Sequence, residues 1–297
     1  MSVPAAYAVV IMIWASTPLA VQWSSDSLTP IAAVTARMVL ALPLGLFIAR
    51  LLGKESLSMS RHWRSYAAAA LGLFPNMPLV YLAAQYIPSG LIAVLFGLSP
   101  FWVAVLSRYF LGEQALGWRH YLALLIAISG LSLIFSERSA LGDHAGMGIA
   151  LMLASTACFS LSSVLIQRYA SGASPLNQLN GSLLFALPGL LVSWYCLDGH
   201  LPVTISVRSG GAVLYLAVIG SVIGFVAYFY LLLKLRATTV ALIPLITPVL
   251  ALLLGAAIND EPVSVIVWAG SGLIVAGLAL FNGVRLPAAF DRYNAPP

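Results

Sequence analysis

Ten runs of about twenty apolar residues follow one another along this chain, at 4–23, 31–52, 66–85, 90–110, 118–136, 146–168, 177–197, 211–233, 238–258 and 264–284. A helix needs about that many residues to cross the hydrocarbon of a bilayer. The connections are short, the longest being the stretch around Lys54 to Arg64. A membrane-spanning β-strand would alternate apolar and polar residues over about ten positions, and none of these runs does. In lipid each backbone polar group must be satisfied internally, which leaves helices. The sequence therefore predicts an all-α integral membrane protein with ten transmembrane helices.

Composition removes the soluble alternative. Only 8% of the residues are charged and the mean hydropathy is +0.99, whereas a soluble domain carries about 25% charged residues. The stretch Met1 to Ala20 lacks a basic leader and a small-residue cleavage site, so it is taken as the first helix. The net charge of +5 comes without a basic cluster interleaved with aromatics, so a nucleic-acid partner is not expected. Cys158 and Cys196 fall in or beside apolar runs and are read as small buried hydrophobes.

Orientation follows from the placement of Lys and Arg. One side carries Arg50, Lys54, Arg61, Arg64, Arg108, Arg119, Arg168, Lys234, Arg236, Arg285 and Arg292; the other carries Arg138 and Arg208. That second side also holds Asp26, Glu137, Asp143, Asp198, Asp260 and Glu261. Both termini are therefore expected in the cytoplasm.

The two halves echo one another. Pro100 and Glu113 recur as Pro248 and Glu261 at an offset of 148, which also takes Tyr81 to Phe229 and Asn76 to Gly224. Earlier in each half the offset is 145: Pro30 and Pro43 map to Pro175 and Pro188, and Trp14 to Phe159. Five helices per half, an odd number, would make the second half enter from the opposite face. Inverted repeats of this kind belong to secondary transporters, whose site lies near the midplane between the halves.

These features resemble a family. The stretch "PIAAVTAR" (30–37), the P…E spacing, and the following "GLSLIF" and "GLALF" are similar to the drug/metabolite transporter superfamily, in its ten-helix EamA-type branch. Length and aromatic content are most similar to bacterial amino-acid and metabolite exporters, including those for aromatic amino acids. The resemblance implies a central cavity lined by helices one to four and six to nine, with helices five and ten packed outside.

Candidate site residues gather where the pattern breaks. "LFPNMPLVY" places Pro75 and Pro78 around Asn76. Each proline frees a carbonyl, which in lipid must find a partner or line a wet cavity. The matching stretch, "GSVIGFVAYFY", contains Gly220 and Gly224. Paired Gly/Pro interruptions point to a transporter site; the alternative is a plain kink, with a small-residue helix contact. With Pro100 and Pro248, these are the expected helix breaks. Trp14, Phe159, Tyr81, Trp102 and Tyr228 are the expected aromatic lining, Trp14 being too deep for an interfacial belt. Arg37 lies well inside a span. It could hold a substrate carboxylate, but its shallow depth favours outward snorkelling or pairing with an acid such as Asp26. Glu113 and Glu261 are expected to cap the fifth and tenth helices.

Other chemistry finds little support. No Asp, Glu or His falls in mid-span, and His62, His120, His144 and His200 sit in loops or at span ends. Ser99 has no base at its depth, and no His, Cys or acid cluster suggests a metal or another cofactor. Proton relays usually need an intramembrane acid or histidine. The middle of the first helix reads "MIWASTP", without the acid of small multidrug transporters. The reading is therefore not an enzyme but an inner-membrane exporter of amino acids or related metabolites, facilitated rather than proton-driven and working as a monomer in the lipid bilayer. A multidrug or organic-cation exporter is the alternative. Its units are residues 1–137, a connection at 138–144, residues 145–284, and a tail at 285–297.

Overall fold

The computed structural model describes residues 2–53, 57–112, 117–136, 143–169, 172–200, 202, 204–240, 243, 247–259 and 264–282. Every regular element among them is a helix. In chain order these are α1 (Val3–Ser24), α2 (Pro30–Leu51), α3 (Met59–Ala70), α4 (Asn76–Ala83), α5 (Ser89–Phe96), α6 (Ser99–Leu111), α7 (Trp118–Ser136), α8 (Ala145–Arg168) and α9 (Pro175–Leu197). After α10 (Val207–Tyr215) comes a π-helical stretch, Leu216–Ile223, then α11 (Gly224–Lys234), α12 (Ala237–Val240), α13 (Thr247–Ile258) and α14 (Val265–Asn282).

Several helix starts share one device. Thr29 accepts a hydrogen bond from the Ala32 N–H at 3.2 Å, and Ser174 accepts one from the Asn177 N–H at 3.3 Å. Pro30 and Pro175 follow these caps directly. There proline's fixed φ suits the first turn and its missing N–H costs nothing.

Six stretches are long and apolar enough to cross a membrane: Val3–Ser24, Pro30–Leu51, Ser89–Leu111, Ala145–Arg168, Pro175–Leu197 and Val207–Lys234. Trp118–Ile134, Thr247–Ile258 and Val265–Phe281 are shorter apolar helices. The span expected at 66–85 differs, because the chain divides it between α3 and α4. The expected capping acids, Glu113 and Glu261, lie outside the described residues.

The halves pack on each other along their lengths. α2 lies against α9, α5 against α13, and α1 against α10, α11 and α13; α8 contacts α4 and α6. α7 pairs with α14, and α14 also touches α5. The α7–α14 contact is backbone to backbone: a Cβ on Gly130 would lie 2.5 Å from the Gly270 carbonyl oxygen. Small residues give this close approach in lipid, where apolar side chains gain little by leaving the solvent. Large apolar side chains cover the outside, among them Phe47, Leu51, Leu125, Val192 and Val265. Trp63, Trp118 and Tyr121 are exposed there, as interfacial residues should be. Cys196 is also exposed, and Cys158 is only half-buried; both thiols are free. The expectation that both are buried fails for Cys196 because it lies near the end of α9, on a turn where Tyr195 and Leu197 are also exposed.

Candidate functional site

The broken spans place the site. In the third, α3 stops at Ala70 and α4 begins at Asn76, with Pro75 at its cap and Pro78 in its first turn. A proline at either position cannot donate to the preceding turn, so a continuous helix is not available. Asn76 repairs the gap: its Nδ2 donates to the Gly72 carbonyl at 2.8 Å. Its Oδ1 accepts from the Ser155 hydroxyl of α8 at 2.6 Å. Asn76 is fully buried, and neither cavity described below is lined by it. The expectation that it faces a wet cavity is corrected: its side chain satisfies the break and ties α4 to α8.

Pro100 is the second residue of α6, which restarts after the turn at Gly97 and Leu98, so it opens a helix rather than kinking one. Pro248 is the second described residue of α13. The eighth span is broken in a third way, by the π-helical stretch between α10 and α11. Such wide turns are rare and frequent at functional sites.

A cavity of about 70 Å³ lies among these breaks, with Trp14, Arg37, Phe96, Phe159, Gly220 and Phe225 in its wall and the Thr17 and Thr247 side chains beside them. A second cavity of about 10 Å³ is lined by Trp14, Ser99, Phe159, Ser163 and Tyr228. Trp14 and Phe159 line both, so their rings lie between the two spaces. The Trp14 ring lies 5.5 Å from Phe159, 5.9 Å from Phe96 and 5.2 Å from Tyr228. Phe159 in turn lies 4.9 Å from Phe96 and 5.2 Å from Tyr228. Ring pairs of this kind contribute about 0.5–1.5 kcal/mol each beyond the area they bury. The Tyr228 hydroxyl lies 2.5 Å from Ser163 Oγ, fixing one edge of the partition to α8.

Arg37 overturns the favoured expectation. It is 2% exposed, so it does not snorkel. Asp26 is not its partner, because Asp26 pairs with Arg208 at 3.5 Å at the ends of α1 and α10. Arg208 also lies over the Trp23 ring and donates to Asn259, 2.9 Å away. The Arg37 Nε donates instead to Ser221 Oγ in the π-helical stretch at 2.8 Å, while Nη1 faces the Met77 sulfur at 4.0 Å. Among the described residues no carboxylate lies within ion-pairing distance of it. A guanidinium carries five N–H donors; Ser221 and Met77 take two of them, and Arg37 lines the cavity. Gly220 makes room for it: a Cβ there would sit 3.2 Å from Nη2. A buried charge without a counter-charge is costly, and ionisable residues inside membrane spans mark substrate paths.

Three other expected residues fall elsewhere. Tyr81 is fully buried in α4, its hydroxyl has no hydrogen-bond partner among the described residues, and it lines neither cavity. Trp102 is 40% exposed and faces an apolar groove beside Leu124 and Ile128 of α7, not the centre. One helical step separates it from buried Phe101, and that rotation turns it outward. Gly224 packs on α1, where its Cβ would meet Ile13 at 3.2 Å. The wall residues Phe96, Phe225, Met77, Thr17 and Thr247 were not singled out in the sequence. Thr17 and Pro18 had a signal, since they stand one turn beyond Trp14 in "MIWASTP".

Apolar helices broken in mid-course around a cavity, with one buried charge in its wall, make this a multi-pass membrane protein of transporter type. The chain belongs to the EamA-like transporter family, whose model matches residues 4–136 and 146–283. It is a transporter, not an enzyme. Among its relatives is an uncharacterized transporter of Archaeoglobus fulgidus, 26% identical over 279 residues, covering 91% of this chain and 95% of that one. The uncharacterized inner membrane transporter YedA of Escherichia coli K12 is 26% identical over 273 residues, 91% of this chain and 87% of its own. A probable amino-acid metabolite efflux pump of the same organism is 26% identical over 215 residues, 69% of this chain and 71% of its own. A solved crystal structure superposes with a TM-score of 0.69 over 95% of this chain and 97% of its own, at 20% identity, which shows a shared fold.

Proposed function

We propose that this protein exports amino acids or related small carboxylate-bearing metabolites across the inner membrane, and that the cavity at Arg37 is its transport site. The observation that carries the reading is the buried guanidinium: it lines the central cavity and has no acid beside it among the described residues. A carboxylate would complete it through a two-pronged, charge-assisted pair. The efflux pump among the relatives supports the direction and the solute class. The organic-cation alternative fares worse, since a cation would meet the like charge of Arg37.

Ten spans in two inverted units, residues 1–137 and 145–284, would alternate the cavity between the two faces. Contacts between equivalent spans support this: α2 with α9, α5 with α13 and α7 with α14. The family matches also fall one to each half. With no acid or histidine in mid-span, the solute gradient alone drives transport, through a monomer with both termini inside.

The test is counterflow in proteoliposomes with labelled amino acids and related carboxylates, with and without a protonophore. Exchange that persists without a pH gradient and disappears in Arg37→Met supports the proposal. Exchange unchanged by that substitution removes the site, and strict dependence on a pH gradient removes the facilitated mechanism. Cysteine labelling should find Asp198 outside and the C-terminus inside; an external C-terminus defeats the ten-span topology.

A further inference from the structure

We infer that the cavity is built for carboxylates without an ammonium group: deaminated acids with an aromatic or branched apolar body, in preference to the zwitterionic amino acids. The inference rests on reading this cavity as the transport site and narrows its substrate class.

The charges on the wall are unequal. Arg37 is the single ionisable side chain lining the cavity among the described residues. Ser221 holds its Nε, the Met77 sulfur lies 4.0 Å from Nη1, and Gly220 leaves room for Nη2, so the guanidinium is fixed in direction with no acid paired to it among the described residues. A carboxylate entering there is compensated in charge and in hydrogen bonds. An α-amino acid brings a second, positive charge with it. The polar wall groups nearest the rings are neutral hydroxyls: Thr17, which already donates to the Ile13 carbonyl at 2.7 Å, and Thr247. A buried charge without a counter-charge is costly, and Arg37 repels a cation that sits close. The rest of the lining, with Trp14, Phe96, Phe159 and Phe225, suits a flat or branched apolar body and demands no second polar group. One end of the solute is therefore specified by charge and the other by shape.

The test keeps the body constant and varies the charges. Phenylalanine, phenylpyruvate, 3-phenylpropionate and phenethylamine are compared on the full-length protein. One reading is the rise in melting temperature in detergent, and the other is competition with counterflow in proteoliposomes. The expected order puts both deaminated acids ahead of phenylalanine by on the order of tenfold in half-effective concentration, with phenethylamine inactive. Arg37→Met should lose the response to all the carboxylates, and Arg37→Lys should keep part of it. If phenylalanine equals or leads the deaminated acids while Arg37→Met still abolishes its effect, this inference is wrong and the carboxylate site stands. If phenethylamine competes as well as the acids, or if none of the four acts, the reading of the cavity as a carboxylate site is wrong and the inference goes with it. The ranking is read on the unmodified protein, so it does not depend on the variants folding.

Discussion

Asn76 and Arg37 lie in contacting helices, α4 and α2, and both are almost fully buried. Their surroundings could hardly differ more. Asn76 spends its donor on Gly72 and its acceptor on Ser155. Arg37 holds the Ser221 hydroxyl, has the Met77 sulfur beside Nη1, and forms part of a cavity wall. Burial alone does not separate a structural polar residue from a binding one. What separates them is whether the hydrogen bonds close within the protein or stop at a cavity. A closed set stabilises; an open one is a cost to the fold that only a ligand can recover.

The largest expected effect falls on transport. Arg37→Met should reduce counterflow by about two orders of magnitude, in line with loss of a charge-assisted pair. Its melting temperature should fall little, because the lost hydrogen bond to Ser221 is offset by removing a buried charge that has no counter-charge among the described residues. A variant that unfolds instead would put Arg37 in the same class as Asn76. Next comes Asn76→Leu, which strands the Gly72 carbonyl and the Ser155 hydroxyl at about 1–3 kcal/mol each. It should lower the melting temperature sharply, while the protein that remains folded keeps its affinity for solute in a binding assay. Unchanged stability would mean the break at α3–α4 is held by something else. Tyr228→Phe removes one hydrogen bond to Ser163 and keeps the ring, so a loss of about 1 kcal/mol and a few-fold change in exchange are expected. Smallest of all is Trp102→Leu, on the outer groove. Its stability should move by less than about 0.5 kcal/mol and its counterflow not at all, and a transport defect there would show that the groove takes part.

Six of the spans were legible because lipid admits few alternatives to a long apolar helix, and Trp14 stood out because it lies too deep in its span for an interfacial belt. The breaks were legible too, since proline states where a helix cannot continue. The partners were not. Ser155 reaches Asn76 from 79 residues away in sequence, and nothing in "LFPNMPLVY" indicates that the amide is already engaged. Arg37 was misjudged because its distance from the helix end gives depth but not rotation, and its side chain turns inward toward α4 and the π-helical stretch. Trp102 failed by the same ambiguity in the opposite sense. The π-helical stretch itself has no residue pattern that separates it from an ordinary apolar helix.

The lone guanidinium also has an electrical consequence. A bilayer at 100 mV acts on each elementary charge that crosses it with about 2.3 kcal/mol. If access to the cavity switches from one face to the other, the field sees a net positive charge when the cavity is empty and none when a monoanion occupies it. The voltage would then weigh on the return of the empty carrier and leave the loaded step alone. Exchange of solute for solute should accordingly be indifferent to an imposed potassium diffusion potential, while net efflux, which needs the empty return, should respond to it. Equal responses of the two modes would mean that the Arg37 charge stays fixed in the field throughout the cycle.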